Sequence, residues 1–317
     1  MAEAITYSQL GGPDVLALTE ITAPAPQSGE VRVRIEAAGV NPIDAKLRSG
    51  RREAGPFTGP RGVGFDGAGV ITDVGAGVDG FTEGDRVVLF NAPGAYASEI
   101  TVPVNCVQPR PDVVSAAQGA ALGIPVGTAY QSLRSLGVGP RDTVLIHGGS
   151  GAVGQAAIQY ALLWGARVIA TSSPRRFERV LALGATPVAY GMGLVETVRD
   201  LAPEGVSVAL DAAGTDEAIE ASKQLVSDPQ RIATIVRGAD ADASGIRAFR
   251  AGHPNPLTPQ QEQWRAEAIP VTLALMAAEQ FSVQLGPSFP LANAAEAHRQ
   301  LEKGAEGKIT LHPGTLD

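Results

Sequence analysis

Residues 142–173 read DTVLIHGGSGAVGQAAIQYALLWGARVIATSS, and this stretch decides the fold. Val144-Leu145-Ile146 is a short apolar run of the kind that suits a buried parallel strand. Gly149-Ser150-Gly151-Ala152-Val153-Gly154 then fits G-x-G-x-x-G at every fixed position. Val153, Ala157, Tyr160, Ala161 and Trp164 recur at helical spacing, and Arg167–Thr171 reads as a second strand. A β-turn-α-β unit with this turn is a dinucleotide-binding unit. Gly149 is expected to permit the tight turn, Gly151 to let the backbone approach a pyrophosphate, and Gly154 to let helix and strand pack closely. Ser150, Ala152 and Val153 then lie at the start of a helix whose free N–H groups face the phosphates.

The end of the second strand selects the dinucleotide. An NAD site carries Asp or Glu about 20 residues past the glycines to hold the ribose 2′-hydroxyl. Here the chain runs Thr171-Ser172-Ser173-Pro174-Arg175-Arg176, with no carboxylate before Glu178. Hydroxyls and guanidinium forks suit a 2′-phosphate, and cations are unfavourable at a helix start unless something anionic is held there. Ser172, Ser173, Arg175 and Arg176 therefore point to NADPH.

Composition bounds the rest. A chain of 317 residues has room for two domains with separate cores. Apolar residues make up 44%, and no uninterrupted apolar run is long enough to span a bilayer. MAEAITYSQL lacks the basic start and apolar centre of a signal peptide. The single cysteine, Cys106, excludes an internal disulfide and a cysteine-cage zinc site, and fits a reducing compartment. A net charge of −8 argues against nucleic acid as a partner. A soluble cytoplasmic protein is expected.

Residues 1–121 differ from the centre. Glu30–Glu36 alternates as a half-buried strand, and Gly11-Gly12-Pro13, Asn41-Pro42, Gly75-Ala76-Gly77, Glu83-Gly84-Asp85 and Pro93-Gly94 punctuate short segments. A compact β-barrel-like domain is expected there. From about Leu122 to His253 strand and helix alternate, with later strands at Pro187–Tyr190, Val206–Leu210, Arg231–Val236 and Ile246–Arg250. Helices are expected at Leu194–Leu201 and Thr215–Val226. Six parallel strands covered on both faces make a doubly wound α/β sheet. Pro254–Pro259 reads as a linker, followed by a helix to Glu279, a strand near Phe281–Leu285, a helix Leu291–Lys303 and a last strand Lys308–Leu311. The expected domains are 1–121, 122–255 and a return to the first over 256–317.

With these landmarks the chain resembles the medium-chain dehydrogenase/reductase superfamily, in its zinc-free quinone oxidoreductase, or zeta-crystallin-like, branch. The resemblance is carried by Gly11–Leu16, Gly29–Val33, Gly39–Asp44 with Arg48-Ser49-Gly50, Gly64–Gly69, Gly84–Val87, Gly127–Tyr130 and Gly307–Leu311, in order along the chain. It implies a GroES-like β-barrel with a Rossmann domain inserted and the active site in the cleft. It also implies that Asn41 and Thr128 line the nicotinamide, that Tyr190 contacts the adenosine-side phosphates or is core, and that Asp211–Gly214, with Ala212, passes the nicotinamide ribose. A homodimer through the sixth strand, its edge blunted by arginines, is expected as well.

Zinc members of the superfamily have cysteine where this chain has Asn41 and Gly-His-Glu where it has Gly64-Phe65-Asp66. The histidines His147, His253, His298 and His312 are scattered, so no metal site is expected. His147 reads as packed or cofactor-adjacent and His298 as structural. Without a Lewis acid, the chemistry left is hydride delivery to an activated acceptor, a quinone or α,β-unsaturated carbonyl. Asn41 and Asp44 are the loop candidates, with Asp44 ordering the loop through Arg48. Lys46 stands where relatives often carry tyrosine and is a candidate acid. The segment Arg51–Arg61 is expected in the substrate pocket. An enoyl reductase, a reductase of small reactive aldehydes and a non-catalytic NADPH-binding sensor or structural protein are the alternatives.

Overall fold

The computed structural model describes residues 1–53, 55–249 and 254–314. The chain divides into two compact units, residues 1–124 with 269–317, and residues 125–268. The later boundary falls inside the helix Pro259–Ala277 rather than in the Pro254–Pro259 stretch expected to be the linker.

The second unit holds a six-stranded sheet, every neighbouring pair parallel. Its spatial order is Thr186–Ala189, Arg167–Ser172, Thr143–His147, Val208–Asp211, Ile232–Thr234, Arg247–Ala248. Strand order reverses beside Thr143–His147, the place where doubly wound sheets receive ligands. Val144, Leu145 and Ile146 are buried on both faces of the sheet, as a central parallel strand requires. Leu145, Ile169, Val188, Leu194, Val198, Ala209 and Ile232 share one apolar core. The helix Leu194–Leu201 has the bounds its periodicity predicts, and buries Leu194 and Val198. The sixth strand is only Arg247–Ala248, and Arg250 and His253 lie outside the described residues. Arg247 does not blunt the edge: it donates to the Ser135 carbonyl at 2.5 Å and lies over the Phe249 ring.

The first unit contains a seven-stranded sheet centred on the long strand Glu30–Gly39, and a three-stranded sheet of Ala17–Ile21, Ala2–Tyr7 and Arg61–Gly62. Their inward faces share a core that includes Ile5, Val33, Ile35, Ile71, Leu89 and Leu311. The strand expected near Phe281–Leu285 is Leu285–Pro290, which among the described residues pairs only with Lys308–His312. It carries Pro287 and Pro290, residues a sheet tolerates at its edge and that read from sequence as a turn. The helix expected over Leu291–Lys303 begins with a 3-10 turn, Leu291–Asn293, and is α-helical over Ala294–Glu302.

Candidate active site and dinucleotide cavity

A cavity of about 300 Å³ opens at the carboxyl ends of the parallel strands. Ser150, Ser172, Ser173, Arg175, Arg176 and Tyr190 line it together with His147 and Ala213, so residues singled out from separate stretches of the sequence come together there. Tyr190 is 61% exposed, which decides between wall and core. Sequence reasoning missed the stretch just beyond the loop Asp211–Gly214: Thr215 and Glu217 line the cavity too. Only helix-start chemistry at Thr215, whose hydroxyl caps Ala218 N–H, could have flagged it.

The glycine turn is built from backbone constraints. The residue with left-handed backbone is Gly148, at φ +76°, so Gly148 and not Gly149 makes the tight turn. A Cβ on Gly149 would sit 2.6 Å from Ala170 Cβ, and one on Gly154 would sit 2.2 Å from the Gly148 carbonyl oxygen. Those two glycines serve packing of turn, helix and strand. Around Gly151 the nearest atom is at 3.4 Å, so the protein itself does not need a glycine there. Gly151 caps the helix Ala152–Leu163, and Gly151 and Ala152 are exposed at its start. Thr171 braces the turn: its hydroxyl accepts from Gly148 N–H and its carbonyl from Gly149 N–H. Gln155 donates to the Ser150 carbonyl and accepts from Arg179 Nε at 2.7 Å, tying the turn to the helix behind Arg175 and Arg176.

Asp211 is fully buried and accepts from Ala213 N–H, Gly214 N–H and the Thr234 hydroxyl, which fixes the loop containing Ala212. Gly149, Gly151, Ala152, Val153 and Ala212 shape the cavity's surroundings rather than its lining. Thr128 lies apart, on the helix Gly123–Ser135, with its hydroxyl accepting from Arg265 at 3.0 Å.

In the first unit, Asn41, Asp44, Asp66 and Lys308 form one buried polar cluster. Asn41 precedes the helix Pro42–Arg48, and its N–H donates to Asp44 Oδ2 at 2.8 Å. Its amide nitrogen donates to Asp66 Oδ2 at 2.8 Å and to the Gly39 carbonyl, while Oδ1 accepts from the Lys308 ammonium. Both amide hydrogens are therefore committed, and Asn41 shapes the loop. Asp66 Oδ2 also accepts from Ile124 N–H, and Lys308 Nζ lies 4.0 Å from it.

Asp44 does not order the loop through Arg48. Its carboxylate takes the Asn41 N–H and the Tyr96 hydroxyl, whereas Arg48, only 1% exposed, reaches Glu302 at 2.5 Å. Burial, reinforced by Asp66, pushes the Asp44 carboxyl up to about 7 against those hydrogen bonds. Tyr96 Oη also lies 3.4 Å from His298 Nε2, so His298 is a core histidine, and burial pushes it down to about 4. Lys46 is half-buried on the same helix, and its ammonium group makes no hydrogen bond or ion pair among the described residues. Burial, then Arg51 and Arg52, lower its pKa. Arg61 holds the preceding loop by donating to the Gly55 and Pro56 carbonyls, with its guanidinium 4.5 Å from the Phe57 ring centroid.

Among the described residues no group of three or more His, Cys, Asp or Glu side chains could hold a metal ion, and no helix is long and apolar enough to cross a membrane. Where carboxylate and amide converge at Asn41 and Asp66, the cation present is the Lys308 ammonium.

The alcohol dehydrogenase GroES-like domain model matches residues 27–128, and the zinc-binding dehydrogenase model matches residues 152–247. The zinc in the second description has no donor set among the residues above. A quinone oxidoreductase from Rattus norvegicus is 40% identical over 195 residues, 59% of this chain and 58% of that protein, so this match spans less than two thirds of its length. The quinone oxidoreductase of Salmonella typhimurium is 36% identical over 68% of this chain and 67% of that one, and the Homo sapiens quinone oxidoreductase is 29% identical over 98% of each. A mycobacterial protein solved with NADPH superposes with TM-score 0.83 at 30% identity, covering 99% of this chain and 100% of that one. The Escherichia coli quinone oxidoreductase solved with NADPH gives 0.83 at 27%, covering 98% and 100%. With a GroES-like unit, a parallel dinucleotide-type sheet and relatives matched end to end, the chain belongs to the quinone oxidoreductase-type branch of the medium-chain dehydrogenase/reductase superfamily.

Proposed function

We propose that this oxidoreductase uses NADPH to reduce a quinone or an α,β-unsaturated carbonyl without a metal ion. The observation that carries the reading is the cavity in which Ser172, Ser173, Arg175 and Arg176 stand together past the glycine turn. Two guanidiniums and two hydroxyls suit a 2′-phosphate, and no carboxylate follows the second strand before Glu178 to select a free 2′-hydroxyl. NADPH-bound solved relatives support the same cofactor.

When bound, NADPH supplies a hydride. The residues of the chain do the rest. The start of the helix Ala152–Leu163 would offer its free N–H groups to the diphosphate, and Arg175 and Arg176 would hold the third phosphate. The Asn41–Asp66–Lys308 cluster is already charge-compensated and hydrogen-bonded, so it fixes the loop and offers no Lewis acid. The acceptor must then be one whose reduction leaves a stabilised oxyanion, as quinones and enones do. Lys46 is the proton donor in this reading: its ammonium group has no partner among the described residues, and its lowered pKa brings it toward the operating range of a general acid. The chain is proposed to work as a cytoplasmic homodimer, with Arg247–Ala248 as the open edge of the parallel sheet.

The test is a double substitution, Arg175→Ala with Arg176→Ala, followed by titration with NADPH and NADH. Charge-assisted hydrogen bonds contribute about 1.5–3 kcal/mol each, so NADPH affinity is expected to fall at least tenfold while NADH affinity stays within twofold. Equal weakening of both cofactors would remove the 2′-phosphate assignment.

A further inference from the structure

His147 ends the strand Thr143–His147, lines the dinucleotide cavity, and is 1% exposed. Its hydrogen bonding determines its tautomer. Ser222 Oγ donates to the Ala218 carbonyl at 2.7 Å, which spends the only proton it has. The same oxygen lies 3.1 Å from His147 Nε2. It can only accept there, so Nε2 carries the hydrogen. Burial pushes the imidazole down to about 4, outweighing Asp211 and Glu217, so the ring is neutral at physiological pH. A neutral imidazole has one N–H, which leaves Nδ1 as a lone-pair acceptor.

Among the described residues Nδ1 meets no protein donor, and it is not among the polar atoms sealed from solvent. Its lone pair is open to the cavity. The part of the lining from Ser172 to Arg176 is rich in donors suited to an anion. The wall of His147 and Glu217 offers acceptors, suited to a ligand's O–H or N–H groups.

We propose that His147 is a cofactor-binding residue whose Nδ1 accepts a hydrogen bond from a hydroxyl or amino group on the adenosine half of the dinucleotide. Ser222, through the Ala218 carbonyl, is the positioning residue that sets the tautomer. The inference rests on the NADPH reading above and adds a contact to it.

The test is nitrogen-15 NMR of the histidine side chains in the wild-type protein, with the His147 resonances assigned from their loss in His147→Asn. The free protein is expected to show Nε2 protonated and Nδ1 unprotonated. Saturation with 2′,5′-ADP, which is the adenosine half alone, is expected to shift Nδ1 and leave Nε2 bonded as before. In binding assays His147→Phe is expected to weaken 2′,5′-ADP and NADPH about tenfold alike, and His147→Asn, which keeps an acceptor, to recover most of that loss. A protonated Nδ1, or an Nδ1 unmoved while other resonances respond to 2′,5′-ADP, overturns the proposal even if His147→Phe does not fold. A shift with NADPH but not with 2′,5′-ADP refutes the adenosine assignment. No response of any resonance to either ligand refutes the dinucleotide reading, and this contact with it.

Discussion

Alanine at Gly151 and alanine at Gly154 are expected to have opposite consequences, although the two glycines belong to one turn. A Cβ on Gly154 would lie 2.2 Å from Gly148 O, 2.7 Å from Gly149 Cα and 2.9 Å from Gly148 C. All three are backbone atoms of the turn and have no rotamer in which to escape. Overpacking of this kind costs about 1–3 kcal/mol, with the rigid surroundings placing it at the upper end. Replacing a mid-helix glycine returns up to about 1 kcal/mol of helix propensity. The net loss is about 2 kcal/mol, or a Tm lower by about 4–8 °C for a unit of this size. Gly151 has φ −77° and ψ 165°, which alanine adopts freely, and its nearest neighbour would be at 3.4 Å. Alanine caps a helix less well than glycine by a few tenths of a kcal/mol, and reduced unfolded-state entropy offsets this by about 0.4–1 kcal/mol. Gly151→Ala should therefore melt within about 2 °C of wild type, a net change below about 1 kcal/mol. Its methyl group would stand on the exposed start of the helix, where the diphosphate approaches, and NADPH affinity is expected to fall more than tenfold. Thermal denaturation paired with cofactor fluorescence titration reads both quantities. If Gly151→Ala destabilises as much as Gly154→Ala, or binds NADPH like wild type, the division of labour in the turn is wrong.

The buried cluster and the core histidine give two more expectations. Lys308→Met leaves the Asp66 carboxylate without its buried cation and is expected to cost about 3–5 kcal/mol in urea denaturation. Adding Asp66→Asn should recover part of that loss, and a double variant no more stable than the single one would deny the ion pair. His298 has its pKa lowered from 6.5 to about 4. A base depressed on folding contributes stability that is present above 6.5 and is lost as pH falls toward 4. His298→Gln should lose less stability than wild type across that window, and parallel curves would show that His298 does not titrate this way. Asp44 works in the opposite sense: its carboxyl is raised to about 7, so its contribution declines as pH rises from about 4 to 7. Asp44→Asn should steepen the rise in stability over that range.

Local patterns carried the parallel unit. Its strands and helices are close in sequence, many of its turns are marked by glycine, and Leu194–Leu201 shows its buried face in its own spacing. The same locality explains why Ser172, Ser173, Arg175 and Arg176 could be grouped: they follow one strand. What was hidden depends on distant pairing. Lys308 sits 267 positions from Asn41 yet bonds to it, and Tyr96 stands 52 from Asp44, with no periodic signal to announce either. Hence Asp44 was paired with Arg48, its helical neighbour, whereas Asp44 finds Tyr96 in the loop before the strand Glu99–Pro103, and Arg48 finds Glu302 in the helix Ala294–Glu302. The edge strand Leu285–Pro290 was hidden by its own prolines, since the missing N–H that breaks a central strand is harmless at an edge. Gly148 was passed over because the G-x-G-x-x-G pattern begins one residue later, although the left-handed turn is made before it.

The most direct test of the account is the rate of NADPH oxidation with a benzoquinone, a naphthoquinone, an alkyl enone, a 2-enal and a simple ketone, each repeated with NADH and with a metal chelator. The expected result is turnover of quinones or enones that prefers NADPH, is unchanged by the chelator and is absent with the simple ketone. Tight NADPH binding without turnover of any acceptor, or activity abolished by the chelator, would contradict it.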